Sequence, residues 1–199
     1  FISVFGTHHF SLKTFYPKLD EQGQVIYNSA GDTVFHTVPY FEMLSQERDT
    51  ISQAVLDGDI YLIHFFDPTC GAPCQNIFSK LVRVQEAYEN NPQVKLVSVS
   101  RTSMVDSLTV LQKLAHNYSI VPGTWYWLTG STEETNNLNA AIFPEFAKNN
   151  PAILNMNDQL VLVDKEKKIR GVYKGDSIKE MDRVILEINV LLDEYSKRK

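Results

Sequence analysis

From residue 59 onward, the apolar positions of this chain switch repeatedly between a strand rhythm and a helix rhythm. Ile60-Tyr61-Leu62-Ile63-His64-Phe65-Phe66 is a continuous apolar run interrupted by one histidine, the pattern of a strand buried on both faces. Asp67-Pro68-Thr69 breaks it. Ile77, Leu81, Val84 and Tyr88 then recur at helical spacing, which predicts a helix over 73–90. Val94 to Ser100 reads as the next strand, after the turn Asn90-Asn91-Pro92. Leu108, Leu111, Ala115 and Tyr118 mark a second helix. Thr124 to Leu128 is a third strand, dense in β-formers, and Ser131 with Glu134 has the spacing of a capping box that starts a further helix. Gln159 to Asp164 and Ile169 to Tyr173 pair around the polar turn Lys165-Glu166-Lys167-Lys168. Ser177 and Glu180 cap a last helix, whose apolar stripe is Met181, Val184, Ile185, Ile188, Leu191 and Leu192.

The order β-α-β-α-β-α-β-β-α predicts an α/β fold with a central mixed β-sheet flanked by helices. Parallel strands joined by helical crossovers are followed by an antiparallel hairpin and a helix. Ahead of this, residues 1–32 form an N-terminal extension and 33–199 the domain proper. A hairpin pairs Gln24 to Asn28 with Thr33 to Val38 across Ser29-Ala30-Gly31-Asp32, and Tyr40 to Leu44 forms a short strand.

Composition narrows the function classes. The chain of 199 residues is 43% hydrophobic and 22% charged, enough for a sizeable core. A net charge of -5 and a pI near 5.5 argue against nucleic acid as partner, since basic residues cluster only in Lys197-Arg198-Lys199, where they suit the end of a helix. No apolar run reaches the roughly 18 residues of a membrane span. A chain that starts at Phe1 reads as processed or truncated, with a signal peptide or anchor removed.

The only two cysteines are Cys70 and Cys74, within Cys70-Gly71-Ala72-Pro73-Cys74. Such a pair can close a disulfide, clamp a soft metal or exchange disulfides with a partner. It sits where the first central strand passes into its helix, the thioredoxin arrangement, and a helix amino terminus stabilises a thiolate. Pro73 suits the first turn because its missing N–H is not needed there. Two thiolates favour Cu(I) over Zn(II), and no second Cys or His pair stands at zinc-ligand spacing.

Thioredoxins separate their cysteines by two residues, often as Cys-Gly-Pro-Cys; here Ala72 is in effect inserted. The three-residue gap on a thioredoxin-like fold resembles the Sco/SenC family, which delivers copper to the dinuclear copper centre of cytochrome oxidase. The resemblance runs from about Asp32 to Leu192. It is carried by Gly31-Asp32-Thr33-Val34-Phe35-His36-Thr37-Val38-Pro39-Tyr40-Phe41, by Ile60 through Cys70, by Asp106-Ser107-Leu108-Thr109-Val110-Leu111, by Trp127-Leu128-Thr129-Gly130, and by Leu160 to Glu166 with Ile169 to Tyr173. It implies a membrane-anchored protein of the cell envelope, on the periplasmic side of the inner membrane, held by an N-terminal segment absent from this chain. The implied partner is a cytochrome oxidase copper-site subunit or another thiol- or copper-handling protein.

Three positions depart from the family pattern. Gly71 stands where a proline usually follows the first cysteine. Arg101-Thr102-Ser103-Met104-Val105-Asp106 replaces an acidic stretch and keeps only its last Asp. Met156, flanked by Asn155 and Asn157, aligns with the family's histidine copper ligand, so the implied Cu(I) site is Cys70, Cys74 and Met156, all soft donors. Two other readings stay open. In one, the chain is a thiol–disulfide oxidoreductase in which Cys70 attacks and Cys74 resolves; in the other, it is an interaction module with a fixed disulfide. His64 reads as a core residue, His8-His9 as an exposed tail, His36 as a strand residue, His116 as a surface residue, and Trp125-Tyr126-Trp127 as strand core.

Overall fold

A computed structural model describes residues 11–102, 104–144 and 158–198. Among these residues the seven strands are β1 (Glu42–Ser45), β2 (Thr50–Ser52), β3 (Ile60–Phe66), β4 (Val94–Ser100), β5 (Trp125–Thr129), β6 (Gln159–Val163) and β7 (Ile169–Lys174). The helices among them are α1 (Ala72–Ala87), α2 (Met104–Asn117), α3 (Thr132–Ile142) and α4 (Ile178–Ser196), with a 3-10 turn at Gln53–Leu56. The strands form one sheet in the order β2-β1-β5-β4-β3-β6-β7. β3, β4 and β5 run parallel, while β6 lies antiparallel to both β3 and β7, and β1 antiparallel to both β5 and β2. The sheet is mixed, as the order of elements predicts.

The uninterrupted apolar run of β3 follows from its central place: every residue from Ile60 to Phe66 is buried. Leu62, Phe66, Leu96, Trp125 and Trp127 face α1, α2 and α4. Tyr61, Ile63, Phe65, Val97 and Val99 face the opposite way, toward α3 and the chain leading into β1. Trp125 and Trp127 are strand core, as expected. Ser98 and Ser100 of β4, both fully buried, are small enough to sit beside these indoles, and Ser98 Oγ accepts the Trp125 Nε1–H at 3.0 Å.

The capping signals are borne out to different degrees. At α3, Ser131 Oγ accepts the Glu134 N–H at 3.1 Å while Glu134 Oε2 accepts the Ser131 N–H at 2.8 Å. At α4 only one half forms, from the Glu180 N–H to Ser177 Oγ at 3.3 Å, because Glu180 turns to Arg183 instead. α1 ends at Ala87, three residues short of the predicted 90.

The expected hairpin forms only near its turn, through Tyr27 and Thr33. Beyond it the segment pairs elsewhere, Phe35 with Pro17 and Thr37 with Lys168. Three extended stretches close a ring of backbone bonds: Lys18 N–H to Val34 C=O, Val34 N–H to Ile26 C=O, and Ile26 N–H to Lys18 C=O. A buried clasp ties the start of this lace to the domain. Arg170 pairs with Asp164 at 2.8 Å and Glu194 at 3.0 Å, and donates to the carbonyls of Leu12 and Lys13. Glu194 in turn accepts the Leu12 N–H at 2.7 Å.

Candidate redox and metal site

The cysteine pair stands on the carboxyl rim of the sheet, where β3 turns into α1. Asp67-Pro68-Thr69-Cys70 is a tight turn: the Cys70 N–H donates to the Asp67 carbonyl at 3.0 Å, and Asp67 Oδ1 accepts from both the N–H (2.8 Å) and the hydroxyl (2.7 Å) of Thr69. Aspartate first and proline second is the composition that such a turn favours. Gly71 joins this turn to α1 with φ 63 and ψ -136, and Pro73 takes an early helical position where no N–H is required.

Cys70 and Cys74 are joined as a disulfide with a Cα–Cα distance of 5.9 Å, within the usual range for such bonds. Their exposure is unequal. Cys74 is 3% exposed and belongs to the core cluster with Ile77 and Phe78, whereas Cys70 is half-buried and packs on the edge of that cluster. Cys74 Sγ also lies 3.7 Å from the Asp67 carbonyl, which can receive its hydrogen once the pair is reduced. α1 has no side-chain cap and no acidic residue in its first turn, so its amino-terminal partial charge faces the sulfurs without internal neutralisation.

Neighbouring elements converge on the same rim. Pairing of His64 with Leu160 places the start of β6 beside the end of β3. The Gly175 N–H donates to the Asp158 carbonyl at 2.6 Å, and a Cβ on Gly175 would stand 3.0 Å from Ile77 of α1. Asp158, directly ahead of β6, therefore stands close to the first turns of α1. Met156 lies outside the described residues, as do His8 and His9. Arg101 follows β4 on this rim, its N–H bonded to the Phe66 carbonyl at 2.9 Å. Burial pushes its guanidinium down to about 10, and the Asp67 carboxylate opposes that shift.

His64 is buried in the core, as its parity with Leu62 and Phe66 suggests; its ring lies 5.8 Å from both Phe66 and Phe78. His116 is exposed. Among the described residues no group of three or more His, Cys, Asp or Glu side chains could hold a metal ion. The pair thus offers two sulfur donors once reduced. Sequence reasoning located both cysteines but not the left-handed joint at Gly71; a glycine directly after a tight-turn tetrapeptide was the signal that could have found it.

The SCO1/SenC family model matches residues 30–192. Among curated proteins none matches the chain. Solved structures of similar fold include a SCO1/SenC family lipoprotein from Bacillus anthracis, 20% identical over 78% of this chain and 95% of that one, with a TM-score of 0.66. BsSco, a Sco-family cytochrome c oxidase assembly protein with a disulfide switch, is 21% identical over 78% of this chain and 93% of its own, with a TM-score of 0.64. Yeast Sco1 with copper bound is 16% identical over 77% and 93%, with a TM-score of 0.57. The family match spans most of the chain, and the thioredoxin-like sheet with its cysteine pair at the β3–α1 junction accords with it: the chain belongs to the SCO1/SenC family.

Proposed function

We propose that this protein handles copper through Cys70 and Cys74 in the assembly of the cytochrome oxidase copper centre. The observation that carries this reading is the closure of the two sulfurs at the β3–α1 junction of a SCO1/SenC chain. Copper is cargo here. Two-electron reduction of the disulfide yields two thiols, and their deprotonation gives two soft donors beside the amino terminus of α1, a set suited to Cu(I). Met156 supplies the third donor, a thioether in place of the histidine, which favours Cu(I) over Cu(II). The acceptor is a copper-site subunit or another thiol- or copper-handling protein. The working location is the cell envelope, on the periplasmic side of the inner membrane through an N-terminal anchor; a lipoprotein among the similar structures supports that placement.

A second reading has its own support. The unequal exposure of the sulfurs suits disulfide exchange, with Cys70 open to a partner thiolate and Cys74 shielded as the resolving group. Anaerobic Cu(I) titration of the reduced protein against a competing chelator, repeated on Met156→Ala, separates the two. One-to-one binding weakened by the substitution is the expected result. Absence of Cu(I) binding, with continued exchange against a reduced thiol partner, overturns copper handling in favour of the oxidoreductase.

A further inference from the structure

One residue inside the Cys70–Cys74 ring has a conformation that L side chains rarely adopt. Gly71, at φ 63 and ψ -136, is the mirror image of the extended polyproline region, so a D residue suits it and an L residue does not. It is the single link between two structures that are each closed by their own bonds. On one side is the Asp67–Cys70 turn, and on the other is α1, whose Gln75 N–H reaches the Gly71 carbonyl at 3.1 Å. Among the described residues, no atom beyond its two chain neighbours lies within 4 Å of where an L Cβ on Gly71 would project. The demand for glycine therefore comes from the backbone and not from packing. A proline here, held near φ of about −65°, could not make the joint.

We infer that Gly71 is a positioning residue for Cys70, and that the handedness of this joint sets how firmly the pair closes. The inference rests on the reading of Cys70 and Cys74 as working thiols. In the disulfide, the S–S bond spans the joint and holds turn and helix in the orientation that requires a positive φ. In the dithiol only the weak Cys74 S–H bond to the Asp67 carbonyl spans it, so an L residue can relax toward a negative φ far more readily. Strain introduced at position 71 is then felt more by the disulfide than by the dithiol.

Equilibration with glutathione reads this directly. A Cys70 thiolate attacks a sulfur of oxidised glutathione and expels one glutathione thiolate. Cys74 then attacks the mixed disulfide and expels the second. Two electrons and two protons pass from the protein pair to glutathione. Gly71→Ala is expected to lower the equilibrium constant for closing the pair about tenfold or more, the cost of holding an L residue in a sparsely populated backbone region, which corresponds to about 30 mV or more. A D-alanine at position 71, introduced by chemical ligation, is expected to keep the wild-type constant, because φ 63 and ψ -136 lie in the region that a D residue favours. An unchanged constant in Gly71→Ala, with oxidised and reduced forms destabilised equally in urea, overturns the inference and leaves Gly71 a joint of the fold alone. D-alanine as disruptive as L-alanine overturns it as well. Neither measurement involves copper, so its failure is distinct from failure of Cu(I) binding.

Discussion

Reduction of the Cys70–Cys74 pair should weaken the fold by a small, calculable amount. The disulfide closes a loop with a sequence separation of only 4, so little chain entropy is removed from the unfolded state. Loop-closure entropy for about five residues amounts to roughly 7 cal/mol/K, or about 2 kcal/mol at 25 °C. Against a typical total of about 5–15 kcal/mol, the reduced protein stays folded. For a chain of this size, about 2 kcal/mol corresponds to a fall in Tm of roughly 4–8 °C. Urea and thermal unfolding with and without a phosphine reductant measure it, and Cys74→Ser in oxidised buffer supplies a control without the bond. A reduced protein that is unfolded at 25 °C would refute the reasoning, because the pair would then be a staple on which the fold depends. An unchanged Tm would refute it from the other side, since closing even a short loop restricts the unfolded chain.

Two further outcomes follow from groups away from the pair. Arg170→Met leaves the buried carboxylates of Asp164 and Glu194 without their shared cation and should cost about 3–5 kcal/mol, with proteolysis at Lys13 and Lys18 appearing as the lace comes away; wild-type stability would show the clasp to be energetically neutral. Burial raises the Asp59 carboxyl above its ordinary value, against the pull of Lys95 and Lys165, so the folded state holds that proton more tightly than the unfolded chain. Stability is then lost as pH rises from the unfolded to the raised folded value; Asp59→Asn should raise the urea midpoint at neutral pH and not below both values, and a gain of equal size at every pH would contradict it.

Much of the fold was legible because it is written in short-range periodicity. The bounds of β3 match its apolar run, since a strand buried on both faces carries little polar alternation, and those of β4 match the stretch read as the next strand although Lys95, Ser98 and Ser100 interrupt it. The stripe of α4 marked its buried side, with Met181, Val184, Ile188 and Leu191 in the core and Ile185 and Leu192 at its margin. What escaped was set by partners distant in sequence. Gln46 prolongs the pairing of β1 with β5 by bonding Trp127 twice, once through its backbone N–H and once through its side-chain oxygen, which no local pattern announces. The Arg170 clasp joins Leu12 to Glu194 across the whole chain. The lace hid for a related reason: each stretch divides its backbone bonds between two others, so a hairpin was the simplest reading of a turn that in fact starts a ring.

The site was legible for a different reason. Two cysteines in one chain, placed between a both-faces-buried strand and an amphipathic helix, leave few geometries open. Their energetic relation to the fold was not legible. Two clusters of buried side chains, one on each face of the sheet, hold the domain together, and Cys74 is one member of the first among many. The ring itself consists of a turn, one glycine and the first turn of α1, each with its own bonds. Opening the disulfide therefore releases a joint while the layers behind it keep their packing. A pair that must alternate between closed, open and partner-bound forms needs such independence. A bond that closed a long loop would couple every opening more strongly to unfolding, because loop-closure entropy grows with the length enclosed. The short spacing of Cys70 and Cys74 keeps that coupling low, and the handedness at Gly71 leaves the balance between open and closed to be set locally.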